Sequence, residues 1–293
     1  MSRILVIGRS GQVAQALAHV GGERVHCAGR GEADLLDPDS LAGTLDRYTP
    51  SAVINTGAYT SVDAAEAEPD LCRALNVDGP AALARACAAR GIPLVHLSTD
   101  CVFDGTKDAP YTPTDAPAPL GVYGQTKLEG EQAVRQLAEK SLVVRVSWIF
   151  SRFGGNFVRT MLRVAGSRDE VSVVDDQYGC PTHAPDLAAA LLEIAGQIAR
   201  PDFSAWGIYH LAGAGMTERA DMARQIFEVS ARIGGPSARV IPVATADYPT
   251  PAQRPLNARL DMSETTRVFG VSLPDWRDGL EQAVPVLVEE LRA

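Results

Sequence analysis

Arg3-Ile-Leu-Val-Ile-Gly-Arg-Ser-Gly-Gln-Val-Ala14 decides how the rest of the chain is read. Ile4 to Ile7 make a strand-length apolar run, and the glycines at 8 and 11 break it before a helical pattern that reaches about Val20. The spacing is G-x-x-G-x-x-A. After a strand and before a helix, the first glycine permits a tight turn and the second lets a pyrophosphate approach the N–H groups at the helix start. The small third residue lets helix and strand pack closely. Gly8, Ser10, Gly11, Gln12 and Val13 are therefore candidate dinucleotide contacts. A glycine-rich turn alone is common, so the weight of this one depends on its surroundings.

The surroundings repeat the same unit. Arg24 to Cys27, Ala52 to Asn55, Pro93 to Ser98 and Leu142 to Val146 read as strands, and helical periodicity fills Asp70 to Arg90 and about Leu120 to Glu139. Continuous apolar runs such as Leu142 to Val146 suit strands buried on both faces. Later helices are expected at Asn156–Ala165, Asp186–Ile198, Thr217–Ile233 and Asp275–Glu290, with short strands near Val171–Val174, Gly207–Leu211 and Val240–Pro242. The expected fold class is α/β, a Rossmann-like doubly wound parallel sheet with a second, smaller α/β substrate-binding domain.

Composition narrows the function. The 293 residues are 46% hydrophobic and 22% charged, with a formal charge of −9, and no apolar run approaches the roughly 18 residues of a membrane span. No signal-peptide pattern is seen, so a cytoplasmic protein is expected. The acidic balance, without a Lys/Arg run, argues against a nucleic-acid partner. Five scattered cysteines contain no C-x-x-C pair, and five histidines show no ligand spacing, so neither a disulfide framework nor a metal site is expected. Only three lysines occur, Lys107, Lys127 and Lys140.

The end of the second strand usually separates the cofactors, an acid there binding the ribose 2′-OH of NAD and an arginine tolerating the NADP phosphate. Here Ala28-Gly29-Arg30 follows with no acid at the tip, so Arg30, helped by Arg9, leans toward NADPH, with NADH left open. Asp34 and Leu35 are placed to line the adenine.

Tyr123-Gly-Gln-Thr-Lys127 sets a phenol and an ammonium on one helix face. A free tyrosine titrates near pH 10, and a nearby cation is expected to lower that value and make Tyr123 a usable acid. Y-x-x-x-K arises by chance on surface helices. This one follows Ser98-Thr-Asp-Cys-Val-Phe-Asp-Gly105, at a strand end where ligands of open α/β sheets bind. Thr99 offers a hydroxyl to a substrate oxygen, and Asp100 can position substrate hydroxyls.

These residues resemble the extended short-chain dehydrogenase/reductase superfamily and, within it, the dTDP-4-dehydrorhamnose reductase family. The closer likeness rests on Asn55-Thr-Gly-Ala-Tyr-Thr-Ser-Val-Asp63, Arg145-Val-Ser-Trp-Ile-Phe150, Asn156-Phe157, Asp176-Gln-Tyr-Gly-Cys-Pro-Thr182 and Arg254-Pro-Leu-Asn-Ala-Arg-Leu-Asp261, in order along nearly the whole chain. The resemblance implies reduction of the 4-keto group of a dTDP-linked deoxysugar, with Tyr123 as acid, Lys127 holding phenol and ribose, and Thr99 on the reacting oxygen. It places Ala58 and Tyr59 beside the cofactor, and Asp100, Trp148, Asn156 and Arg254 against the substrate, Arg254 at the diphosphate. It implies two interleaved domains, 1–150 plus about 184–213 for the cofactor and about 151–183 plus 214–293 for the substrate. A homodimer is left open. A magnesium ion goes with dimerisation in some relatives, but no motif here can be matched to it.

Two other readings share the scaffold. A 4,6-dehydratase or epimerase is one, but dehydratases carry a glutamate where Cys101 stands, and a cysteine cannot replace it as a carboxylate base. A non-catalytic NADP-binding subunit resembling the β subunit of methionine adenosyltransferase is the other. Trp148 and the Arg254 segment favour the reductase. The family commonly has a tyrosine at position 101, so Cys101 removes one polar contact to sugar.

Overall fold

Strand β1 (Ile4–Ile7) is buried on both sides because alternate residues enter different cores. Leu5 and Ile7 pack with Leu41, Leu45 and Leu83, whereas Val6 packs with Ala16, Leu17 and Leu191. The computed structural model describes residues 3–292. Strands β2 (Val25–Ala28), β3 (Ala52–Asn55), β4 (Leu94–Thr99), β5 (Ser141–Val146) and β6 (Gly207–His210) join β1 in one parallel sheet of order β6-β5-β4-β3-β1-β2. The order reverses at β1, with β2 on one side and β3 on the other. Such a switch point opens a crevice beyond the carboxyl ends of the strands.

Helices α1 (Gln12–Gly21), α2 (Pro38–Tyr48), α3 (Gly79–Ala88) and α4 (Val122–Leu137) follow the first four strands in turn. Helices α5 (Phe157–Ala165) and α6 (Ala184–Ile198) come after β5. Leu187, Leu191 and Ile194 of α6 pack with α1 over one face of the sheet, and Leu41 and Leu45 of α2 with Leu83 of α3 cover the other. Sequence patterning missed α2, which begins where the Asp37 carboxylate accepts from Asp39 N (3.1 Å) and Ser40 N (3.3 Å), with Pro38 in the first turn. The expected single helix over 70–90 is interrupted by a π-turn at Ala74–Asp78, which turns the Asn76 side chain into the interior.

A second core gathers α5, α7 (Arg219–Arg232) and α8 (Trp276–Arg292) around Phe150, Val171 and Val173. Beside it Thr217–Glu218, Tyr178–Gly179 and Asn257–Ala258 form a three-stranded sheet, so Thr217, expected at the start of a helix, belongs to a strand. Phe269, Val271 and Leu273, expected in the smaller domain, pack instead in the core that includes Val6 and Tyr209. Ring contact between Tyr209 and Phe269, with centroids 4.9 Å apart, fixes that return.

One buried ion pair fastens α4 to the sheet. Arg145 on β5 donates from Nε to Oε1 of Glu131 (3.0 Å) and from Nη2 to Oε2 (2.7 Å), and both side chains are almost fully buried. The Ser98 hydroxyl on β4 donates to the same carboxylate. A bidentate pair with a third donor offsets most of the cost of burying these charges, with Arg145 Nη1 left without a hydrogen-bond partner. Glu131→Gln, which leaves the guanidinium without its counter-charge, should lower stability by about 3 to 5 kcal/mol in equilibrium urea unfolding.

Candidate active site

The carboxyl ends of β1, β3, β4 and β5 and the edge of the second core enclose a cavity of about 530 Å³. Its floor is the second half of the glycine turn, from Ser10 to Ala14, with Gly8 outside the lining. Gly8 sits at φ +121°, and a Cβ there would lie 2.4 Å from Thr56 Oγ1, so only glycine fits. Gly11 is the cap of α1 and has no side chain to bond the first-turn N–H groups, which are left without partners inside the helix. Ser10, Gly11, Gln12, Val13 and Ala14 all line the cavity. An open helix start with a backbone that can be closely approached suits a pyrophosphate, so the residues present fit a dinucleotide.

Other expected cofactor residues lie away from this wall. Ala58 lines the cavity, but the Tyr59 backbone N–H donates to Asn76 Oδ1 (2.9 Å) and its hydroxyl donates to Glu68 (2.6 Å), which pushes the phenol up to about 12. The Asp34 carboxylate accepts from Leu36 N in a turn (3.0 Å), and buried Leu35 packs against Gly57 and Gly79. Arg30 is exposed beyond β2. Arg9 Nε donates to Cys27 O (3.0 Å), and its guanidinium pairs with Glu32. Glu32, an acid near the β2 tip that sequence reading passed over, also accepts from the Tyr48 hydroxyl (2.9 Å) and meets His26 (3.2 Å).

Thr99, Tyr123 and Lys127 meet in the cavity. A Cβ on Gly124 would lie 2.2 Å from Cys101 O, so glycine lets the first turn of α4 press against the end of β4. Lys127 is 3% exposed, and its Nζ donates to Leu97 O at 2.7 Å. Burial pulls the ammonium down to about 8, with Glu131 pulling the other way. Burial pushes the Tyr123 phenol up, Cys101 and Asp100 add to the rise, and the Thr99 hydroxyl opposes it. The expected lowering by Lys127 is not seen: the phenol sits among desolvating and acidic groups, and the lysine Nζ donates to the Leu97 carbonyl.

Thr99 Oγ1 accepts from Cys101 N (3.2 Å) and donates to Asp100 Oδ1 (2.9 Å); the other oxygen of Asp100 accepts from Ser147 Oγ (2.6 Å). Burial raises the Asp100 carboxyl even so. The opposite wall holds Trp148, Asn156, Gln177, Arg219 and Arg254. Trp148 has φ +43°, a left-handed conformation that costs a side chain about 1 to 2 kcal/mol. Asn156 caps α5 by accepting from Arg159 N (3.1 Å), while its amide donates to Ser151 O (2.7 Å) and Gln12 Oε1 (3.1 Å). Its donors are thus engaged by protein. Arg254 pairs with Asp63 (2.9 Å) and donates to Ala252 O (3.0 Å). Nothing in the sequence marks Gln177 or Arg219: Gln177 sits within Asp176–Thr182 as one polar residue, and Arg219 is one arginine among many.

The lowered lysine gives a pH test. Below about pH 8 both folded and unfolded chains hold the Lys127 proton and the full cost of burying the charge is present. Between about 8 and 10.5 only the unfolded chain still holds it, so stability rises with pH. Relative to Lys127→Met, the wild type should gain about 3 kcal/mol across that window in urea melts. A flat difference would show that the ammonium is not desolvated.

A glycine turn at the switch point of a doubly wound sheet, with Thr, Tyr and Lys converging at the neighbouring strand ends, defines a dinucleotide-dependent oxidoreductase of the extended short-chain dehydrogenase/reductase class. Residues 1–288 match the family model described as RmlD substrate binding domain. The chain is 41% identical to dTDP-4-dehydrorhamnose reductase of Sinorhizobium fredii, covering 98% of each chain, and 39% identical to that of Escherichia coli strain K12, covering 95% and 96%. The crystal structure of dTDP-4-dehydrorhamnose reductase from Bacillus anthracis in complex with NADP superposes with a TM-score of 0.89 at 31% identity, covering 97% of this chain and 99% of that one. The chain belongs to the dTDP-4-dehydrorhamnose reductase family.

Proposed function

We propose that the protein reduces the 4-keto group of dTDP-4-dehydro-β-L-rhamnose to dTDP-β-L-rhamnose, the last step of dTDP-L-rhamnose synthesis, with NADPH as reductant. The observation that carries this reading is the convergence of Thr99, Tyr123 and Lys127 in the cavity floored by the open start of α1. When bound, NADPH would supply the hydride. Tyr123, kept protonated by its surroundings, donates its proton to the C4 oxygen as the hydride arrives. Thr99 turns its hydroxyl from Asp100 to hold that oxygen, and Lys127 stabilises the phenolate that is left and binds the nicotinamide ribose. Ser10 to Val13 would take the pyrophosphate and Ala58 would lie beside the cofactor, while Trp148, whose ring meets Arg219 and Gly179, would act on the substrate by holding Arg219.

The dehydratase alternative loses support from position 101. Burial pushes the Cys101 thiol up, so it is neither a carboxylate nor an available base. The regulatory-subunit alternative is separated by assay. Wild-type protein given the 4-keto sugar nucleotide should oxidise NADPH, and Tyr123→Phe should abolish turnover while binding NADPH nearly as well. NADPH binding without turnover by the wild type would favour the regulatory reading.

For the cofactor, the reading is that exposed Arg30 faces the 2′-phosphate while the Glu32 carboxylate is engaged by Arg9, Tyr48 and His26. Arg30→Ala should weaken NADPH binding about tenfold and leave NADH binding unchanged, by titration with each nucleotide. An unchanged preference would remove Arg30 from this role.

We further read residues 1–150 with about 184–213 as the cofactor domain and about 151–183 with 214–293 as the substrate domain, except that Phe269, Val271 and Leu273 pack with the first. A cytoplasmic setting fits five free thiols. Among the described residues no helix is long and apolar enough to cross a membrane. A homodimer is carried over from the resemblance alone, and sedimentation would test it.

A further inference from the structure

We propose that Arg219, seated over the Trp148 ring, is the residue that anchors the diphosphate of the sugar nucleotide. This rests on the sugar-nucleotide reading given above. The family resemblance points to Arg254 for that task, but the two arginines differ in what they already bind.

Arg254 is engaged by the Asp63 carboxylate and by Ala252 O. Arg219 has no carboxylate within ion-pair distance among the described residues, although it lines the same cavity. Burial pulls the Arg219 guanidinium down to about 10, still a cation at neutral pH, and Asp100 opposes that fall, but the Asp100 carboxylate already accepts from Thr99 and Ser147. Arg219 therefore offers a cation whose hydrogen-bonding edge is free.

Its orientation is built. The guanidinium carbon stands 3.5 Å from the centre of the Trp148 ring and 5.2 Å from that of Phe157. A guanidinium this close to a ring gives a face to the indole and keeps its N–H edge for other partners, the edge that forks onto phosphate oxygens. Trp148 is itself pressed from behind. A Cβ on Gly179 would lie 2.4 Å from Trp148 Cε2, so the strand backbone at Gly179 is the seat of the indole. The left-handed backbone of Trp148 brings the ring there, and Thr182 N donates to Trp148 O at 3.1 Å. The Arg219 N–H donates to Gln177 O (3.2 Å), which ties the start of α7 to the chain just before Tyr178–Gly179. Strain at a residue whose only cationic neighbour in a stack lines a cavity is the kind that serves a site.

The test reads binding, not turnover. dTDP and thymidine are titrated separately into wild type and Arg219→Gln. Losing one charge-assisted contact should weaken dTDP about tenfold or more and leave thymidine and NADPH unchanged. Retained thymidine and NADPH binding also reports an intact fold. If Arg219→Gln does not fold, Arg219→Lys takes its place. It keeps the charge but lacks the fork and the plane, so dTDP should weaken severalfold. An unchanged dTDP affinity overturns the proposal, and so does an equal loss of thymidine. A wild type that binds dTDP but reduces no 4-keto sugar would count against the reaction assigned above, while the Arg219 comparison would still decide this one.

Discussion

The site depends on α4 being locked to the sheet from within. Lys127 reaches the carbonyl of Leu97, and four residues further along the same helix face Glu131 takes Arg145 and Ser98. The two points of attachment use groups that would be expensive to bury singly, and together they balance. Because α4 cannot slide, Tyr123 stands at the end of β4 beside Thr99. Gly124 allows the close approach, and the buried carboxylate keeps the ammonium from being lost altogether. A cation that must stay partly charged in a dry seam is thus a structural fastening that also lines the cavity with the phenol.

Features set by short-range pattern were legible in the sequence. The β1 turn, the apolar strands and the Tyr123–Lys127 spacing each lie within a few residues, where backbone geometry leaves few choices. Features set by distant partners were not. Helix α2 has only Leu41 and Leu45 fully buried among its apolar residues, too little for a clear period, and its start depends on a local carboxylate cap. Thr217 became a strand because Gly179 lies opposite it. Residues 263–273 return to the larger core because Phe269 finds Tyr209. For the same reason the sequence could point to an arginine at 254 but not tell that Asp63 lies across from it.

Charge is distributed accordingly. The chain carries a net −9, yet the cavity holds Lys127, Arg219 and Arg254, and the first turn of α1 adds unpaired N–H groups. Anions are attracted by a few groups in a low-dielectric recess, where each acts more strongly than on the surface. Asp100 is the exception among them, and its hydroxyl partners Thr99 and Ser147 stabilise it there.

Gln12 has a mechanical consequence. Its Oε1 accepts from Ser151 Oγ at 2.9 Å and from Asn156 Nδ2 at 3.1 Å, so the opening residue of α1 and the cap of α5 share one acceptor. A shift of the first turn of α1 large enough to break those bonds must also release the cap of α5, and a shift of α5 must disturb that turn. The two walls thus share one acceptor, and any coupling between ligands held on them would be of equal size in both directions.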